Sequence, residues 1–219
     1  MKKERIGLFG GTFNPVHSGH LKAAEVVQKR FPLDKILFIP SYIPPHKDTA
    51  EIASPSHRLK MVEIALRGFS HFIPCSIEID AEEKSYSIIT INRIKKLYPK
   101  SWIFFILGVD GFLEVDTWKD YEQLLEQCFF VVISRPGYLL DEAKKTLEGK
   151  YREKMYKLAK SEVIKDEMLL SFRIFLLPID ALDIASTEIR GIIKRGDSIK
   201  DMVSERVEDY IRENRLYKE

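Results

Sequence analysis

The sequence predicts an α/β fold in which helices cover both faces of a parallel sheet. Short apolar runs alternate along the chain with longer segments that have helical spacing. The runs at residues 102–107 and 129–133 contain no polar residue, which is typical of strands covered on both faces. With 219 residues, of which 45% are hydrophobic, the chain is long enough for one large domain with a sizeable core.

Six apolar runs are the candidate strands, and the segments between them are the candidate helices. Pro74 argues that the third run is an edge strand or begins irregularly. The lysine- and glutamate-rich segment 140–165 is expected to form a solvated helix pair before the last strand. Strands are predicted at residues 6–9, 35–39, 72–79, 102–107, 129–133 and 172–177. Helices are predicted at residues 21–31, 87–97, 118–127 and 203–214, and from the cap Ser54-Pro55 to Gly68.

These elements together predict a Rossmann-like, doubly wound parallel sheet of about six strands with a small C-terminal helical part. A single domain is expected over residues 1–219, with a core at about 1–180 and C-terminal helices at about 181–219. The chain contains no internal repeat and no low-complexity segment.

The net charge and the length of the apolar segments disfavour nucleic-acid-binding, membrane and secreted proteins. A net charge of +2 does not favour nucleic acid as a partner. No apolar segment approaches the length of a membrane span, and the run behind the charged N-terminus is too short for a signal peptide. Cys75 and Cys128 lie far apart in the sequence and are interpreted as buried thiols in a reducing compartment. A cytoplasmic protein without a membrane partner is expected.

The segment from Gly10 to His20, with the sequence Gly-Gly-Thr-Phe-Asn-Pro-Val-His-Ser-Gly-His, lies between the first strand and the first helix. A glycine-rich turn lets backbone N–H groups approach an anion, and the helix N-terminus adds partial positive charge. His17 and His20 are spaced to lie on one side of the first helical turn, where they can donate hydrogen bonds to phosphate oxygens. The alternative is that these histidines cap the helix or pack in the core. We interpret the segment as a phosphate site.

Five further polar clusters follow the remaining strands. Ligands of open parallel sheets bind beyond the carboxyl ends of the strands, so all these clusters are expected at one edge of the sheet. In chain order they are Pro44-Pro45-His46-Lys47, Lys84-Ser85-Tyr86-Ser87, Gly108-Val109-Asp110 with Trp118 nearby, Ser134-Arg135-Pro136-Gly137, and the segment Ile184 to Arg190.

Each cluster also has an ordinary structural explanation when taken alone. Residues 44–47 could form only a rigid loop, and residues 84–87 could only cap the next helix. Asp110 could be an N-cap, Trp118 a core aromatic and Arg135 a surface turn residue. Ser186, Thr187 and Arg190 are interpreted as the cap and first turn of a helix. Because a helix dipole disfavours arginine in the first turn, that position suggests an anion near Arg190.

The pattern Gly-Gly-Thr-Phe-Asn-Pro-x-His-x-Gly-His, followed by Ile-Ala-Ser-Thr-x-Ile-Arg, resembles the nucleotidylyltransferase superfamily. The motifs Pro-Pro-His-Lys, Ser-Tyr-Ser, Gly-Val-Asp with a later Trp, and Arg-Pro-Gly narrow the resemblance to the bacterial nicotinate-nucleotide adenylyltransferase family. It extends from Ile6 to about Leu216. Three positions depart from the common pattern: Asn14 stands where Asp is frequent, Ala185 where Ser is commoner, and Ser134 where Ala is commoner.

The resemblance implies transfer of AMP from ATP to nicotinate mononucleotide, a step in the synthesis of NAD. The mononucleotide phosphate is the nucleophile and is already ionised, so no general base is needed. Catalysis then depends on alignment and on stabilising charge at the α-phosphorus and the departing pyrophosphate. Mg²⁺ is expected with ATP, held mainly by ATP and water, because the motifs contain few carboxylates and no protein ligand is assigned. The implied partners are these two small molecules.

The resemblance also implies roles for particular residues. The backbone amides of residues 85–87 are expected to receive the nicotinate carboxylate, and Trp118 is expected to stack on the pyridine ring. The catalytic set is His17, His20 and Arg190. The ATP-binding set is Gly10, Gly11, Thr12, Phe13, Gly19, Gly108, Asp110, Ser186 and Thr187. The substrate-binding set is His46, Lys47, Ser85, Tyr86, Ser87, Trp118 and Arg135.

Other functions stay open on the sequence alone. The chain could be an adenylyltransferase of the same superfamily that uses phosphopantetheine or nicotinamide mononucleotide, or a nucleotide-binding regulator without catalytic activity. A dehydrogenase is disfavoured because Gly10-Gly11-Thr12 lacks the Gly-x-Gly-x-x-Gly spacing. The oligomeric state, a homo-oligomer included, the regulation and the strictness of the preference for the acid substrate are left open.

Overall fold

The computed structural model describes residues 3–44 and 51–218, and its centre is a seven-stranded sheet. The strands are β1 (Arg5–Gly11), β2 (Lys35–Pro40), β3 (Phe72–Pro74), β4 (Trp102–Gly108), β5 (Phe129–Ile133), β6 (Met155–Lys157) and β7 (Ile174–Leu177). Their order across the sheet is β3-β2-β1-β4-β5-β7-β6. Parallel pairing joins β1 to β4, β4 to β5, β5 to β7 and β7 to β6. The predicted Rossmann-like parallel sheet is confirmed.

Helices occupy most of the connections between strands. Helix α2 begins where predicted, because Pro55 fills its first turn and the Ser54 hydroxyl accepts a hydrogen bond from the His57 N–H at 3.3 Å. The helices are α1 (Ser18–Arg30), α2 (Pro55–Ala65), α3 (Ser87–Leu97), α4 (Val109–Phe112), α5 (Tyr121–Gln127), α6 (Ala143–Thr146), α7 (Gly149–Glu153), α8 (Met168–Ser171), α9 (Ser186–Arg195) and α10 (Glu205–Glu213). Short 3₁₀ turns cover Val115–Thr117 and Leu140–Glu142.

The sheet has one strand more than the six that the sequence predicts. The additional strand is β6, which lies inside the segment 140–165 and pairs with β7, Met155 opposite Ile174. It has only three residues, and all of them are half-buried or exposed, so no apolar run marks it. The expected helix pair is reduced to α6 and α7, which are one turn or little more in length.

Three predicted boundaries also shift. Strand β3 ends at Pro74 instead of continuing to residue 79, as expected for a residue without an N–H for the ladder. Helix α1 begins at Ser18, so His20 lies within its first turn. Helix α5 begins at Tyr121, which leaves Trp118 in the turn before it.

The chain packs as two compact units. Unit one consists of Met1–Phe9, Ala23–Ile36 and Tyr86–Ala181, and unit two consists of Gly10–Lys22, Leu37–Ser85 and Leu182–Glu219. The C-terminal helices therefore pack with the glycine loop and α2. The expectation of one domain over residues 1–219 stays a prediction.

Each unit has an aromatic core. In unit one, the buried ring of Phe31 lies 5.8 Å from that of Phe104 and 5.6 Å from that of Phe175. In unit two, the buried ring of Phe13 lies 5.8 Å from that of Phe38. Burying one such side chain stabilises the fold by roughly 1.5–3 kcal/mol. Over the described ranges, no helix combines the length and apolar character needed to cross a bilayer.

Candidate phosphate-binding site

The glycine loop that follows β1 combines an exposed backbone with a buried aromatic side chain. Gly10 is exposed, and a Cβ added to it would meet no described atom within 4 Å. A Cβ at Gly11 would come within 3.2 Å of the Phe13 ring. Phe13 is buried and has a left-handed backbone, with a φ of 48°. Gly10 is thus the exposed point of the loop, and the buried Phe13 ring packs against Gly11.

The rings of His17 and His20 are in contact on one side of the start of α1, as their spacing predicts. Their ring centroids are 3.7 Å apart and their planes are inclined by 37°. The His17 backbone N–H donates to Nδ1 of His20 at 3.2 Å. Because an accepting Nδ1 carries no proton, this bond assigns the proton of the neutral His20 ring to Nε2. His20 is therefore oriented as a hydrogen-bond donor through Nε2.

Gly19 is explained by the position of His17. A Cβ at residue 19 would lie 3.0 Å from Nδ1 and 3.1 Å from Cε1 of the His17 ring, closer than side chains normally pack. His17 itself is buried, so its ring has little room to move away. The glycine gives the imidazole its space, and the predicted contact of Gly19 with ATP stays a prediction.

Helix α9 attaches to the glycine loop through Ser186 and Arg190. The Ser186 hydroxyl donates to the Pro15 carbonyl at 2.9 Å, and Nη1 of Arg190 donates to the Asn14 carbonyl at 3.1 Å. The structure thus brings a distant guanidinium to the loop that leads into the paired imidazoles. Thr187, next to Ser186, is exposed.

The argument that placed Arg190 in the first turn of its helix is wrong. Ala185 is the N-cap, Ser186 is the first helical residue, and Arg190 is the fifth. A different observation suggests an anion near Arg190. Its Nε is buried and has no hydrogen-bond partner among the described residues. Buried donors are nearly always satisfied, so this N–H is suited to a bound anion.

Asn14 connects the loop to two other segments, and its side chain is 4% exposed. Its Nδ2 donates to the Glu51 carbonyl at 3.0 Å. Its Oδ1 accepts from the Ala53 N–H at 3.0 Å and from the Tyr217 hydroxyl at 2.8 Å. The sequence analysis noted Asn14 only as a departure from the family pattern and gave no role to Tyr217.

Arg58 is a second connection that the sequence analysis missed. It is completely buried, and Nε, Nη1 and Nη2 donate to the carbonyls of Ala53, Thr12 and Tyr42, each at 2.9 Å. Burial lowers the pKa of Arg58 to about 10, so the guanidinium keeps its charge at neutral pH. One side chain thereby ties the glycine loop to the chain after β2 and to the start of α2.

A cavity of about 270 Å³ lies beside Arg190 within unit two. Hydrogen bonds and charge from Lys194, and then from Arg190, lower the pKa of the Glu51 carboxyl, so it is ionised at neutral pH. Four cationic side chains against this one carboxylate give the cavity a positive balance. The lining residues are Glu51, Ile52, Ala53, Arg190, Lys194, Arg215, Leu216, Tyr217 and Lys218.

In unit one, the predicted residues that follow β4 and β5 form their own cluster. Oδ2 of Asp110 lies 3.4 Å from Nη1 of Arg135, and both side chains are partly exposed. A Cβ on Gly108 would overlap Oδ1 of Asp110, so glycine is required for this carboxylate position. Trp118 is half-buried and meets the ring of Phe105 edge-on at 6.1 Å.

The cluster at the start of α3 is only partly available as an anion site. The Ser85 N–H, expected to receive a carboxylate, donates instead to the Ile43 carbonyl at 3.1 Å. The Ser85 hydroxyl accepts from the Tyr42 N–H at 2.9 Å. Tyr86 is the N-cap of α3 and makes no side-chain cap hydrogen bond. The backbone N–H groups of Tyr86 and Ser87 are therefore the remaining candidate donors for the carboxylate. His46 and Lys47 lie outside the described residues.

A Rossmann-like parallel sheet, and a glycine loop that carries two contacting imidazoles and an attached arginine, are features expected of a nucleotide-binding transferase. Residues 8–192 match the family described as cytidylyltransferase-like, and the chain belongs to that family. Relatives named "Probable nicotinate-nucleotide adenylyltransferase" extend over nearly the whole chain. The relative from Desulfatibacillum aliphaticivorans is 39% identical over 97% of this chain and 99% of its own. The relative from Shewanella pealeana is 35% identical over 98% and 96%. Within the larger family, the chain belongs to the nicotinate-nucleotide adenylyltransferases.

Solved structures show the same fold at lower sequence identity. Plasmodium falciparum nicotinic acid mononucleotide adenylyltransferase complexed with NaAD has a TM-score of 0.72 and 20% identity, covering 98% of this chain and 97% of that one. The same enzyme complexed with APC has a TM-score of 0.70 and 19% identity, with the same coverage. These similarities confirm the architecture.

Proposed function

We propose that this chain transfers AMP from ATP to nicotinate mononucleotide, giving nicotinate adenine dinucleotide and pyrophosphate. The observation that supports this most is the attachment of Arg190 to the loop that carries the contacting pair His17 and His20. Three separate sources of hydrogen-bond donors, the loop backbone, an imidazole and a guanidinium, thus belong to one small region of unit two. Family membership supports the identity of the acceptor.

The reaction is a displacement at the α-phosphorus of ATP. A phosphate oxygen of the mononucleotide forms the new P–O bond, and the bond to the β-phosphate breaks, so pyrophosphate leaves with the electron pair. No proton has to move, because the nucleophile is already ionised. The main barrier is the approach of two anions, which positioned donors and positive charge lower.

The roles follow from the donors. His20 donates from Nε2 to the triphosphate. His17 orients the His20 ring through its backbone N–H and contacts the same phosphates. Arg190 holds the departing pyrophosphate together with Ser186, whose hydroxyl must then leave the Pro15 carbonyl. The loop backbone from Gly10 to Phe13 binds phosphate oxygens, and Gly19 and Thr187 lie at the edge of this ATP site.

ATP enters as its Mg²⁺ complex, with Mg²⁺ as part of the substrate. The described residues contain no group of three or more His, Cys, Asp or Glu side chains placed to hold a metal ion. Oxygen ligands from the triphosphate and water suit the octahedral preference of Mg²⁺. The ion supplies positive charge to the phosphates, and the protein contributes the donors around it.

The remaining predicted residues bind the two nucleosides. Asp110, paired with Arg135, accepts hydrogen bonds from the adenosine ribose, and Arg135 also contacts the mononucleotide. The amides of Tyr86 and Ser87 receive the nicotinate carboxylate, and Trp118 packs against the pyridine ring. His46 and Lys47 contact the mononucleotide. The enzyme acts in the cytoplasm, and its oligomeric state, a homo-oligomer included, stays open.

Pyrophosphate release from Mg·ATP tests the proposal, with nicotinate mononucleotide, nicotinamide mononucleotide and phosphopantetheine as acceptors. We expect kcat/KM for the acid mononucleotide to exceed that for the amide by about tenfold or more. The amide NH₂ would face the N–H donors at α3, and one unpaired polar group costs about 1–3 kcal/mol.

The other results of this assay are equally informative. Equal kcat/KM for acid and amide would remove the role of Tyr86 and Ser87. Turnover with phosphopantetheine alone would indicate the other adenylyltransferase class, and ATP binding without pyrophosphate release would indicate a regulator.

The substitution Gly108→Ala tests the role of Asp110. The added methyl group displaces the carboxylate from Arg135, so we expect KM for ATP to rise about tenfold, the scale of a lost charge-assisted hydrogen bond. Stability should change by less than about 1 kcal/mol, because the ion pair is partly exposed. Gly111→Ala is the matched control, since its Cβ would lie 4.0 Å from the nearest atoms, on Leu107 and Trp118. An unchanged KM in Gly108→Ala would exclude Asp110 from the ATP site.

A further inference from the structure

Asn14, Glu51 and Arg190 close a ring of polar contacts around the glycine loop, which we call the Asn14 ring. Nδ2 of Asn14 donates to the Glu51 carbonyl at 3.0 Å. A carboxylate oxygen of Glu51 lies 3.5 Å from Nη2 of Arg190. Nη1 of Arg190 donates back to the Asn14 carbonyl at 3.1 Å. The position of the guanidinium is therefore set by Asn14 on one side and Glu51 on the other.

Tyr217, in the C-terminal segment of unit two, makes a hydrogen bond to the Asn14 ring. The Tyr217 hydroxyl lies 2.8 Å from Oδ1 of Asn14. Burial raises the pKa of Tyr217, so the hydroxyl keeps its proton and is the donor in this bond. Arg215 and Tyr217 both have left-handed backbones, with φ values of 52° and 63°. Non-glycine residues adopt this conformation rarely, so the turn is a defined feature of the segment that carries Tyr217.

The same contacts explain why residue 14 is an asparagine. Its oxygen accepts from Ala53 and Tyr217, and its nitrogen donates to the Glu51 carbonyl. An aspartate could accept the same two bonds, but it has no donor for Glu51. Glu51 directly follows segment 45–50, which carries His46 and Lys47. The carboxamide therefore also holds the backbone at Glu51.

We propose that Tyr217 is a positioning residue of the ATP site: through Asn14 it sets the guanidinium of Arg190 for the phosphates of Mg·ATP. This inference rests on the proposed function. Tyr217 and Arg190 line the same cavity, so the phenol lies close to the guanidinium that it positions through Asn14. The competing explanation is that Tyr217 only anchors the end of the chain.

The test compares Tyr217→Phe with Tyr210→Phe in the full chain. Tyr210 is the matched control, because its hydroxyl also makes a 2.8 Å hydrogen bond from the C-terminal segment, but to Nδ1 of His57. The dissociation constant of Mg·ATP is measured by calorimetry without acceptor, and the melting temperature of each variant is recorded. We expect Tyr217→Phe to weaken Mg·ATP binding about fivefold, the scale of one hydrogen bond, and Tyr210→Phe to leave it unchanged. Both variants should show a similar, small loss of melting temperature.

A second measurement distinguishes action through Asn14 from a direct effect. The double variant Asn14→Ala, Tyr217→Phe should bind Mg·ATP no more weakly than Asn14→Ala alone, because both changes break the same connection. Additive losses would overturn the proposal, as would equal effects of the two tyrosine variants on Mg·ATP binding. Pyrophosphate release by the unmodified enzyme tests the proposed function separately, since the calorimetric comparison needs only ATP binding.

Discussion

Replacement of His20 by alanine is expected to lower kcat for pyrophosphate release at least about a hundredfold, which is the scale of one lost transition-state donor. The His17 N–H holds Nδ1 of His20, so the ring donates from Nε2 in a fixed direction. Such a donor acts on charge that grows in the transition state, and kcat should therefore fall more than KM for ATP rises. Steady-state kinetics with saturating nicotinate mononucleotide measures both constants.

Two further variants make this result specific. His20→Gln keeps an N–H donor close to the position of Nε2 and should retain more activity than His20→Ala. His71→Ala, at an exposed histidine before β3, should behave as the unmodified enzyme. If His20→Ala kept kcat within about threefold of the unmodified value, His20 would have no part in the chemical step.

The substitution Arg58→Met is expected to cause the largest loss of stability, about 3–6 kcal/mol in the free energy of unfolding. Methionine fills a similar volume but leaves the carbonyls of Thr12, Tyr42 and Ala53 without their donor. Each buried unsatisfied group costs about 1–3 kcal/mol, against a total stability of about 5–15 kcal/mol for a typical domain. Urea unfolding followed by circular dichroism measures the change.

The control for Arg58→Met is a substitution of Arg67, which follows helix α2. Arg67 is exposed, so Arg67→Met should change stability by less than about 0.5 kcal/mol. Arg58→Lys keeps the charge, but a lysine cannot reach three carbonyls at once. The free energy of unfolding of Arg58→Lys should therefore lie between those of Arg58→Met and Arg67→Met. A loss below about 1 kcal/mol in Arg58→Met would show that the loops are held by other contacts.

The parts of the fold that sequence predicts well are those with a local signal. Strands β4 and β5 are unbroken apolar runs, and both were predicted within one residue of their ends. Strand β6 has no such signal, because a three-residue edge strand needs no apolar face. The contact between His17 and His20 is predictable for the same local reason, since the two residues are three positions apart at the start of α1.

The contacts that hold the site depend on residues far apart in the chain, and spacing alone does not reveal them. Tyr217 meets Asn14 across 203 positions, and nothing near Tyr217 in the sequence indicates this. Arg58 did leave a signal that was overlooked. It shares the buried face of α2 with Met61, Val62 and Ala65, which is the i, i+3, i+4, i+7 pattern of a helix side that faces inward.

Two of the three departures from the family pattern are explained by hydrogen bonds of the residue in question. Asn14 supplies the donor that Glu51 receives. The hydroxyl of Ser134 accepts from the Ile179 N–H at 3.2 Å, a bond that alanine could not make. Ala185 is the N-cap of α9 and makes no side-chain cap hydrogen bond, and no described contact explains the alanine at this position.

Both borders of the sheet are formed by strands of three residues. Strand β3 is closed by Pro74, and β6 ends in the charged Lys157. A foreign strand would find few vacant backbone groups on either border, and a proline or a lysine would oppose its approach. Both borders of this sheet therefore oppose edge-to-edge aggregation with a second sheet.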